Sequence, residues 1–321
     1  MPSRHPAEIA FLQQLRDALT GAGAAPIVDD DEVAKAVVEI SEQIVPFVLE
    51  ARAVDGAPLA GALALGRPEA DLVPVTGTDR TVVLVEQQFP ALVHLVAKAL
   101  AAALPTREDG ERLQLQLGDQ TWEAALGGGH PAVQRYVEAM IATQRDGPAS
   151  APDYVGDPEL EPLVSTMTQV IEWFELAQPY AHFAAGHQAT AARRPWLESL
   201  GAFERFDWTA EQDHEAVARA SLAVLNRARQ TFGDVRLVAW ALDAWLTTQM
   251  LIAGGAAIVQ GLGQETFDGL VQTHAERRAL YRAILEEDEE LRPCLALVAL
   301  LEPILAQFWE QTVQALMTVE A

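Results

Sequence analysis

The sequence predicts a mainly α fold with a small β element, and three observations support this fold class. Apolar residues recur at helical spacing over most of the chain, as at Ile9, Leu12 and Leu15. Strand-like patterns are confined to short segments in the first 120 residues. Residues 146–162 are rich in proline and glycine, so we expect an α+β N-terminal half (1–150) and a helical C-terminal half (151–321).

The first 54 residues are expected to form two helices. Residues 7–19 have helical spacing, and the Gly- and Ala-rich run that follows them stops a helix. The acidic triplet 29–31 is expected to cap a second helix at 32–54, because carboxylates stabilise a helix N terminus. Pro46 has no amide hydrogen and is expected to kink or divide this second helix.

The next segments are expected to contain the β element. Residues 56–78 show little periodicity and are expected to be irregular. The β-branched run at 81–85 predicts a short buried strand, and residues 89–104 are again helical. Strict alternation at 113–117 predicts a half-buried strand.

Two later segments could be mistaken for a phosphate site and a membrane span. Residues 127–131 read Gly-Gly-Gly-His-Pro, but they lack the Lys-Ser or Lys-Thr of a phosphate-binding loop, so we expect a turn before a helix at 133–143. Residues 235–259 are the most apolar stretch, yet they contain Arg236 and Asp243 and have no basic cluster close by. We therefore expect a core helix, interrupted at its paired glycines.

The composition argues against several classes of partner. Forty-six acidic residues against 22 basic ones give a net charge of −24, which opposes binding to nucleic acid and to anionic membranes. Cys294 is the single cysteine, so no intramolecular disulfide can form. The first 24 residues lack the features of a secretory signal. We expect a cytoplasmic bacterial protein, with its oligomeric state left open.

The residues that bear on function lie at 171–187. The segment reads Ile-Glu-Trp-Phe-Glu-Leu-Ala-Gln-Pro-Tyr-Ala-His-Phe-Ala-Ala-Gly-His. In an HExxH motif two histidines on one helix face bind zinc, and the glutamate between them activates a metal-bound water. In that register Gln178 stands at the first histidine, Pro179 at the glutamate and His182 at the second histidine, and Gly186-His187 follows as a pair that closes the helix.

This segment resembles the active-site helix of gluzincin-type zinc metallopeptidases, which also has an aromatic-rich lead-in and often a closing Gly-His pair. In that family a later helix supplies the third ligand from a Glu-Ala-Asp-like signature. Glu215-Ala216 is similar to this signature, although Val217 replaces the aspartate. Thr273-His274 resembles the Thr-His-Pro segment that precedes a late helix of the family, and the resemblance covers about residues 81–309.

The resemblance implies a degenerate site, a pseudopeptidase. Glutamine is a poor zinc ligand and proline has no carboxylate to take a proton from water. Pro179 is also expected to begin or kink its helix. On a continuous helix, His182 and His187 would diverge by about 140°, so we expect them not to share a metal ion.

We therefore expect a protein- or peptide-binding or scaffolding module with no catalytic residue and no cofactor. The alternative is a metal-dependent hydrolase with a non-standard ligand set, in which His182 and Glu215 are the expected ligands of any retained zinc and His214 is another available donor. A third interpretation is an unrelated helical interaction protein in which His182 is a core histidine. On the peptidase interpretations, His182 lies on a buried helix face within reach of Glu215.

Nucleophilic catalysis has little support in the sequence. Ser165, Ser199 and Ser221 lie in helical contexts without a strand-to-helix elbow. Cys294 follows a proline in an apolar helix, so we expect a buried packing residue.

Overall fold

The computed structural model describes residues 5–20, 32–49, 57–63, 70–75, 78–109, 112–115, 130–147, 150–187, 190–193 and 204–319. It confirms the predicted class, mainly α with a small β element. The helices in these ranges are α1 (Pro6–Thr20), α2 (Glu32–Val48), α3 (Phe89–Ala103), α4 (Pro131–Asp146), α5 (Glu161–Ala185), α6 (Ala210–Phe232), α7 (Arg236–Val259), α8 (Gln264–Glu287), α9 (Arg292–Leu300) and α10 (Glu302–Val319). The strands are β1 (Leu59–Leu63), β2 (Ala70–Pro74), β3 (Thr81–Glu86), β4 (Thr106–Asp109), β5 (Arg112–Leu115), β6 (Thr190–Arg193) and β7 (Glu204–Asp207).

Contacts within the chain define two compact units. Unit 1 consists of Met1–Phe89 and Glu172–Asp234, and unit 2 consists of Pro90–Ile171 and Val235–Ala321. The predicted organisation into halves divided at residue 150 stays a prediction.

Unit 1 contains a three-stranded sheet in the order β1-β3-β2. The central strand β3 pairs with β1 in parallel and with β2 antiparallel, so that Val82 lies beside both Leu59 and Val73. Helix α1 covers one face of this sheet with Phe11 and Leu12, and both side chains are buried. The predicted strand at 81–85 and the predicted first helix are thereby confirmed.

The irregular conformation predicted for residues 56–78 is wrong, because β1 and β2 lie there. The β1 sequence, Leu-Ala-Gly-Ala-Leu, has only small and flexible residues at its centre and no strong local strand preference. Its pairing with β3 decides its conformation. The strand predicted at 113–117 corresponds to β5, which forms a separate hairpin with β4.

Helix α2 runs through Pro46 and ends at Val48, so the predicted division at this proline is wrong. A proline removes one backbone hydrogen bond, here to the carbonyl of Glu42. The buried side chains of Ile44 and Val45 flank the proline and hold this turn against the core. The acidic triplet 29–31 and the glycines of 127–129 lie outside the described residues.

Aromatic side chains anchor α5 within unit 1. The indole nitrogen of Trp173 donates to the side-chain oxygen of Gln43 on α2 at 3.1 Å. The hydroxyl of Tyr180 donates to the backbone carbonyl of Pro58 at 3.0 Å, next to β1. Because both aromatic side chains are fully buried, these two hydrogen bonds satisfy polar atoms that would otherwise be costly to bury.

Unit 2 is built around α7, which packs against α4, α8, α9 and α10. The hydroxyls of Tyr136 on α4 and Thr248 on α7 lie 2.8 Å apart. The hydroxyl of Tyr281 on α8 donates to the carbonyl of Ala239 on α7 at 2.9 Å. Helix α7 continues through its paired glycines, so the predicted interruption is wrong and the predicted helix is confirmed.

Helix α7 is the one helix in the described ranges that is long and apolar enough by itself to cross a membrane. Helices α9 and α10 pass the same test only when taken together, with a bend of 48° between them. Most of the apolar window of α7 is buried against other helices, as in the core helix of a soluble protein. A soluble protein is compatible with this arrangement.

Candidate functional site

The degenerate motif lies in the last third of α5, a helix of 25 residues. Pro179 lies inside this helix and is buried, while Gln178 is half-buried. The helix does not begin at Pro179, because it starts 18 residues earlier, at Glu161. That part of the prediction is therefore wrong. The amide hydrogen that Pro179 lacks would have bonded to the carbonyl of Glu175.

Helix α5 ends in a Schellman motif that turns the chain back. Gly186 has a φ of +65°, a left-handed conformation that glycine adopts without a steric penalty. Its amide donates to the carbonyl of Phe183 at 3.1 Å, and the amide of His187 donates to the carbonyl of His182 at 3.2 Å. These two bonds satisfy carbonyls that would otherwise have no partner at the helix end.

This turn places His187 next to His182. Their Nδ1 atoms lie 3.0 Å apart, and the two rings meet edge to face. The expected divergence of about 140° is therefore wrong, because it assumed a helix that continues to residue 187. The helix ends at Ala185, and His187 lies in the turn that follows.

The same imidazole reaches Glu215 on α6. Nε2 of His187 lies 3.2 Å from Oε2 of Glu215. The other carboxylate oxygen, Oε1, is 3.8 Å from Nη2 of Arg219, one turn further along α6. The His187 side chain is 8% exposed and that of Glu215 is 53% exposed, so the cluster opens to solvent at the carboxylate.

Trp208 completes the cluster from the segment that precedes α6. Its ring stacks on that of His182, with centroids 3.9 Å apart and planes inclined by 17°. A capping box between Thr209 and Gln212 fixes the start of α6 and so the position of Glu215 in its second turn. We refer to His182, His187, Trp208 and Glu215 as the His-Glu cluster.

The geometry of the His-Glu cluster does not fit a zinc ion held by His182 and Glu215. Two donors to one zinc ion each lie about 2 Å from it, so they lie within roughly 4 Å of each other. Instead, the ring of His187 stands between His182 and Glu215 and presents a different nitrogen to each. Within the described ranges, no three His, Cys, Asp or Glu side chains are grouped so that they could hold a metal ion.

His274 lies inside α8, in unit 2, rather than ahead of a late helix as its resemblance to a Thr-His-Pro segment suggested. Burial, and secondarily the charge of Arg277, lower its pKa to about 3. Its Nδ1 atom is buried without a hydrogen-bond partner among the described residues. The ring is therefore neutral at physiological pH.

The candidate nucleophiles in the described ranges are either buried or hydrogen-bonded within their own helix. Cys294 is buried in α9. The hydroxyl of Ser221 donates to the carbonyl of Val217 at 2.7 Å within α6, and that of Ser165 lies 3.3 Å from a carboxylate oxygen of Glu161 within α5. Ser199 lies outside the described residues.

An open groove of about 570 Å³ lies on the outer face of α10, in unit 2. Apolar side chains of Trp309, Val313 and Met317 line it at intervals of one helical turn. It contains none of the residues of the His-Glu cluster.

Sequence reasoning missed the role of Trp208, although the segment that it begins was part of the resemblance. Stacking of an indole on an imidazole 26 positions earlier in the chain leaves no local pattern, so no signal could have identified it. The position of His187 did have a signal, because a glycine at the end of a helical pattern predicts a Schellman turn.

Comparison of the chain with known protein families, with curated proteins and with solved structures gives no match. The relationship to zinc metallopeptidases accordingly stays a prediction.

Proposed function

We propose that the chain is a non-catalytic protein- or peptide-binding or scaffolding module that retains the helix pair of a gluzincin-type metallopeptidase. The observation that carries this proposal is the buried position of Pro179 inside helix α5, where the family has its catalytic glutamate. Without a carboxylate at this position, no group activates water by the family mechanism.

The binding part of the proposal is supported by the way the cluster is exposed. A site that once held an extended peptide can keep binding it after the chemistry is lost, because most of the binding energy comes from contacts away from the reacting atoms. The exposed carboxylate of Glu215 is the part of the cluster that a peptide would meet first. Its negative charge suits an amino terminus or a lysine of the bound chain.

The catalytic part is tested by incubating the purified chain with a mixture of internally quenched fluorescent peptides, with and without added zinc. We expect no hydrolysis above that of a matched His182→Ala/Glu215→Ala double variant. Zinc-dependent hydrolysis by the wild type that disappears in the double variant would show that the chain is a peptidase.

The binding part is tested by selecting binders from displayed random peptides about 12 residues long, a length that fills an extended groove. Glu215→Gln keeps an acceptor for His187 but removes the charge, so we expect the affinity of the selected peptides to fall about tenfold. Glu265→Gln, an exposed substitution on α8, is the matched control and should leave the affinity unchanged. If no selected peptide binds the wild type, or both variants behave alike, the inherited site is not the binding site.

A metal-dependent hydrolase with other ligands remains the second candidate, and the short distance between the two histidines favours it. Nδ1 atoms 3.0 Å apart could both face one ion. They would supply two ligands, whereas catalytic zinc sites have three protein ligands and a water. Metal analysis of the purified protein therefore distinguishes the two candidates, because a hydrolase of this kind would retain about one metal ion per chain.

A further inference from the structure

If each imidazole of the His-Glu cluster carries one hydrogen, the observed distances leave a single arrangement of these hydrogens. A carboxylate accepts hydrogen bonds and does not donate them, so Nε2 of His187 carries the hydrogen that faces Glu215. With one hydrogen on the His187 ring, Nδ1 is bare and can only accept. The hydrogen between the two rings therefore belongs to Nδ1 of His182, and the two bonds run in one direction, from His182 through His187 to Glu215.

This arrangement uses the lone pairs that a metal ion would need. Histidine binds metal through an unprotonated nitrogen. Nδ1 of His182 holds a hydrogen, and the bare Nδ1 of His187 already accepts that hydrogen. An ion between the two rings would have to displace this bond, and it would gain no third ligand from Glu215, because that carboxylate lies at the other nitrogen of the His187 ring.

Several contacts hold the His187 ring in this place independently of any ion. The Schellman turn at Gly186 directs the residue back toward α5. The ring of Trp208 stacks on that of His182, and its centroid lies 6.1 Å from the centroid of the His187 ring. The indole therefore packs beside both imidazoles. The His187 side chain is 8% exposed, and in such surroundings hydrogen bonds are stronger than in water.

We infer that the imidazole of His187 takes the place of a metal ion between His182 and Glu215. The C-terminal end of α5 and the second turn of α6 are then joined by a protein side chain with two directed hydrogen bonds. This inference rests on the non-catalytic part of the proposed function and not on its peptide-binding part.

The test compares His187→Ala with His187→Gln in thermal unfolding. Alanine removes both bonds, so the melting temperature is expected to fall by at least about 3 °C. The glutamine amide can donate to Glu215 while its oxygen accepts from His182, so the melting temperature of this variant is expected to stay close to that of the wild type. Free imidazole at millimolar concentration should raise the melting temperature of His187→Ala and leave the wild type unchanged.

Leu285→Ala is the matched control for the imidazole experiment. It opens a cavity at a fully buried leucine of α8, in unit 2, and removes a side chain that makes no hydrogen bond for imidazole to replace. Imidazole should not raise its melting temperature. Equal rescue of both variants, or a His187→Ala variant that melts with the wild type, would overturn the inference.

Two measurements on the wild type keep the inference testable if the alanine variant does not fold. Nitrogen NMR should show the Nε2–H tautomer for His187 and the Nδ1–H tautomer for His182, and the reverse pattern would overturn the inference. Zinc should neither raise the melting temperature nor co-purify at one ion per chain. Bound zinc that is lost in His187→Gln would show that the rings are ligands, whereas a failure to bind peptides would leave the bridge intact.

Discussion

Asp243 is a fully buried charge in the middle of the most apolar helix of the chain. Two arginines of α8 approach it side by side. Arg278 donates from Nε at 3.1 Å and from Nη2 at 2.6 Å, and Arg282 donates from the same two kinds of atom at 2.8 Å each. Glu302 at the start of α10 accepts from both arginines, so that two negative and two positive charges balance.

At this site we expect Asp243→Ala to lower the free energy of unfolding by about 3–5 kcal/mol, because it leaves two arginines with a single, partly exposed carboxylate. Urea denaturation of the purified variant measures this loss. Glu302→Ala is the control, since the Glu302 side chain is 39% exposed and solvent weakens its ion pairs. We expect it to cost about 1 kcal/mol or less. Equal losses for the two variants would contradict the assignment of Asp243 as the centre of the cluster.

At the scale of the element, the close approach of α8 to α7 depends on a missing side chain. A Cβ atom at Gly254 would lie 2.9 Å from Cε2 of Phe267 and 3.0 Å from Cγ2 of Val271, both on α8. Such distances are shorter than van der Waals contact, so the two helices would have to separate or repack. Gly269 on α8 differs, because a Cβ atom there would meet nothing within 4 Å.

The two glycines therefore predict opposite effects of the same substitution. Gly269→Ala should raise the free energy of unfolding by up to about 1 kcal/mol, since alanine favours a helix more than glycine does. Gly254→Ala gains the same preference but loses about 1–3 kcal/mol to overpacking, so it should be the less stable of the two by at least about 1 kcal/mol. Chemical denaturation measures both. Stabilisation of similar size in both variants would mean that α7 and α8 separate at no cost.

The elements of this fold were predictable where a pattern is long and local. The long apolar stretch at 235–259 predicted α7 to within one residue, and the β-branched run at 81–85 predicted β3. Strands β1 and β2 were missed because their conformation depends on pairing with β3, which no local pattern encodes. Prolines inside α2 and α5 were expected to interrupt these helices, but tertiary packing of the flanking side chains outweighs one lost hydrogen bond.

The candidate site was predictable in its residues and not in their arrangement. The spacing indicated His182, His187 and Glu215, and the structure brings these three together. Which of them touches which depends on the turn at Gly186 and on the ring of Trp208. His274 was grouped with them by resemblance alone, and it lies in α8 of unit 2.

At the scale of the whole molecule, two partly buried titratable groups make stability depend on pH in opposite directions. Glu172 belongs to unit 1, and burial raises the pKa of its carboxyl group to about 7. His274 belongs to unit 2, and burial lowers the pKa of its imidazole to about 3. Each pKa shift marks a group that folding makes harder to charge.

The signs of the two effects follow from which state binds protons first. An unfolded histidine takes up its proton near pH 6.5, whereas folded His274 does so only near pH 3, so stability falls as the pH is lowered between these values. For Glu172 the unfolded carboxyl group releases its proton near pH 4.5 and the folded one near pH 7. The stability that its protonated form contributes is present below pH 4.5 and is lost as the pH rises to 7.

We therefore expect each of two neutral variants to change one part of the pH profile of the free energy of unfolding. Each group contributes a slope of at most about 1.4 kcal/mol per pH unit within its own range. His274→Gln should reduce the loss of stability between pH 6 and pH 4 relative to the wild type, because it removes a group that protonates only on unfolding. Glu172→Gln should reduce the loss between pH 5 and pH 7, because it removes a carboxyl group that ionises more readily on unfolding.

Urea denaturation at half-unit pH steps measures both profiles, with Glu265→Gln as a control on an exposed carboxylate. Parallel profiles for the wild type and His274→Gln below pH 6 would mean that the imidazole of His274 takes up protons equally well in the folded protein. The lowered pKa of His274 would then be contradicted.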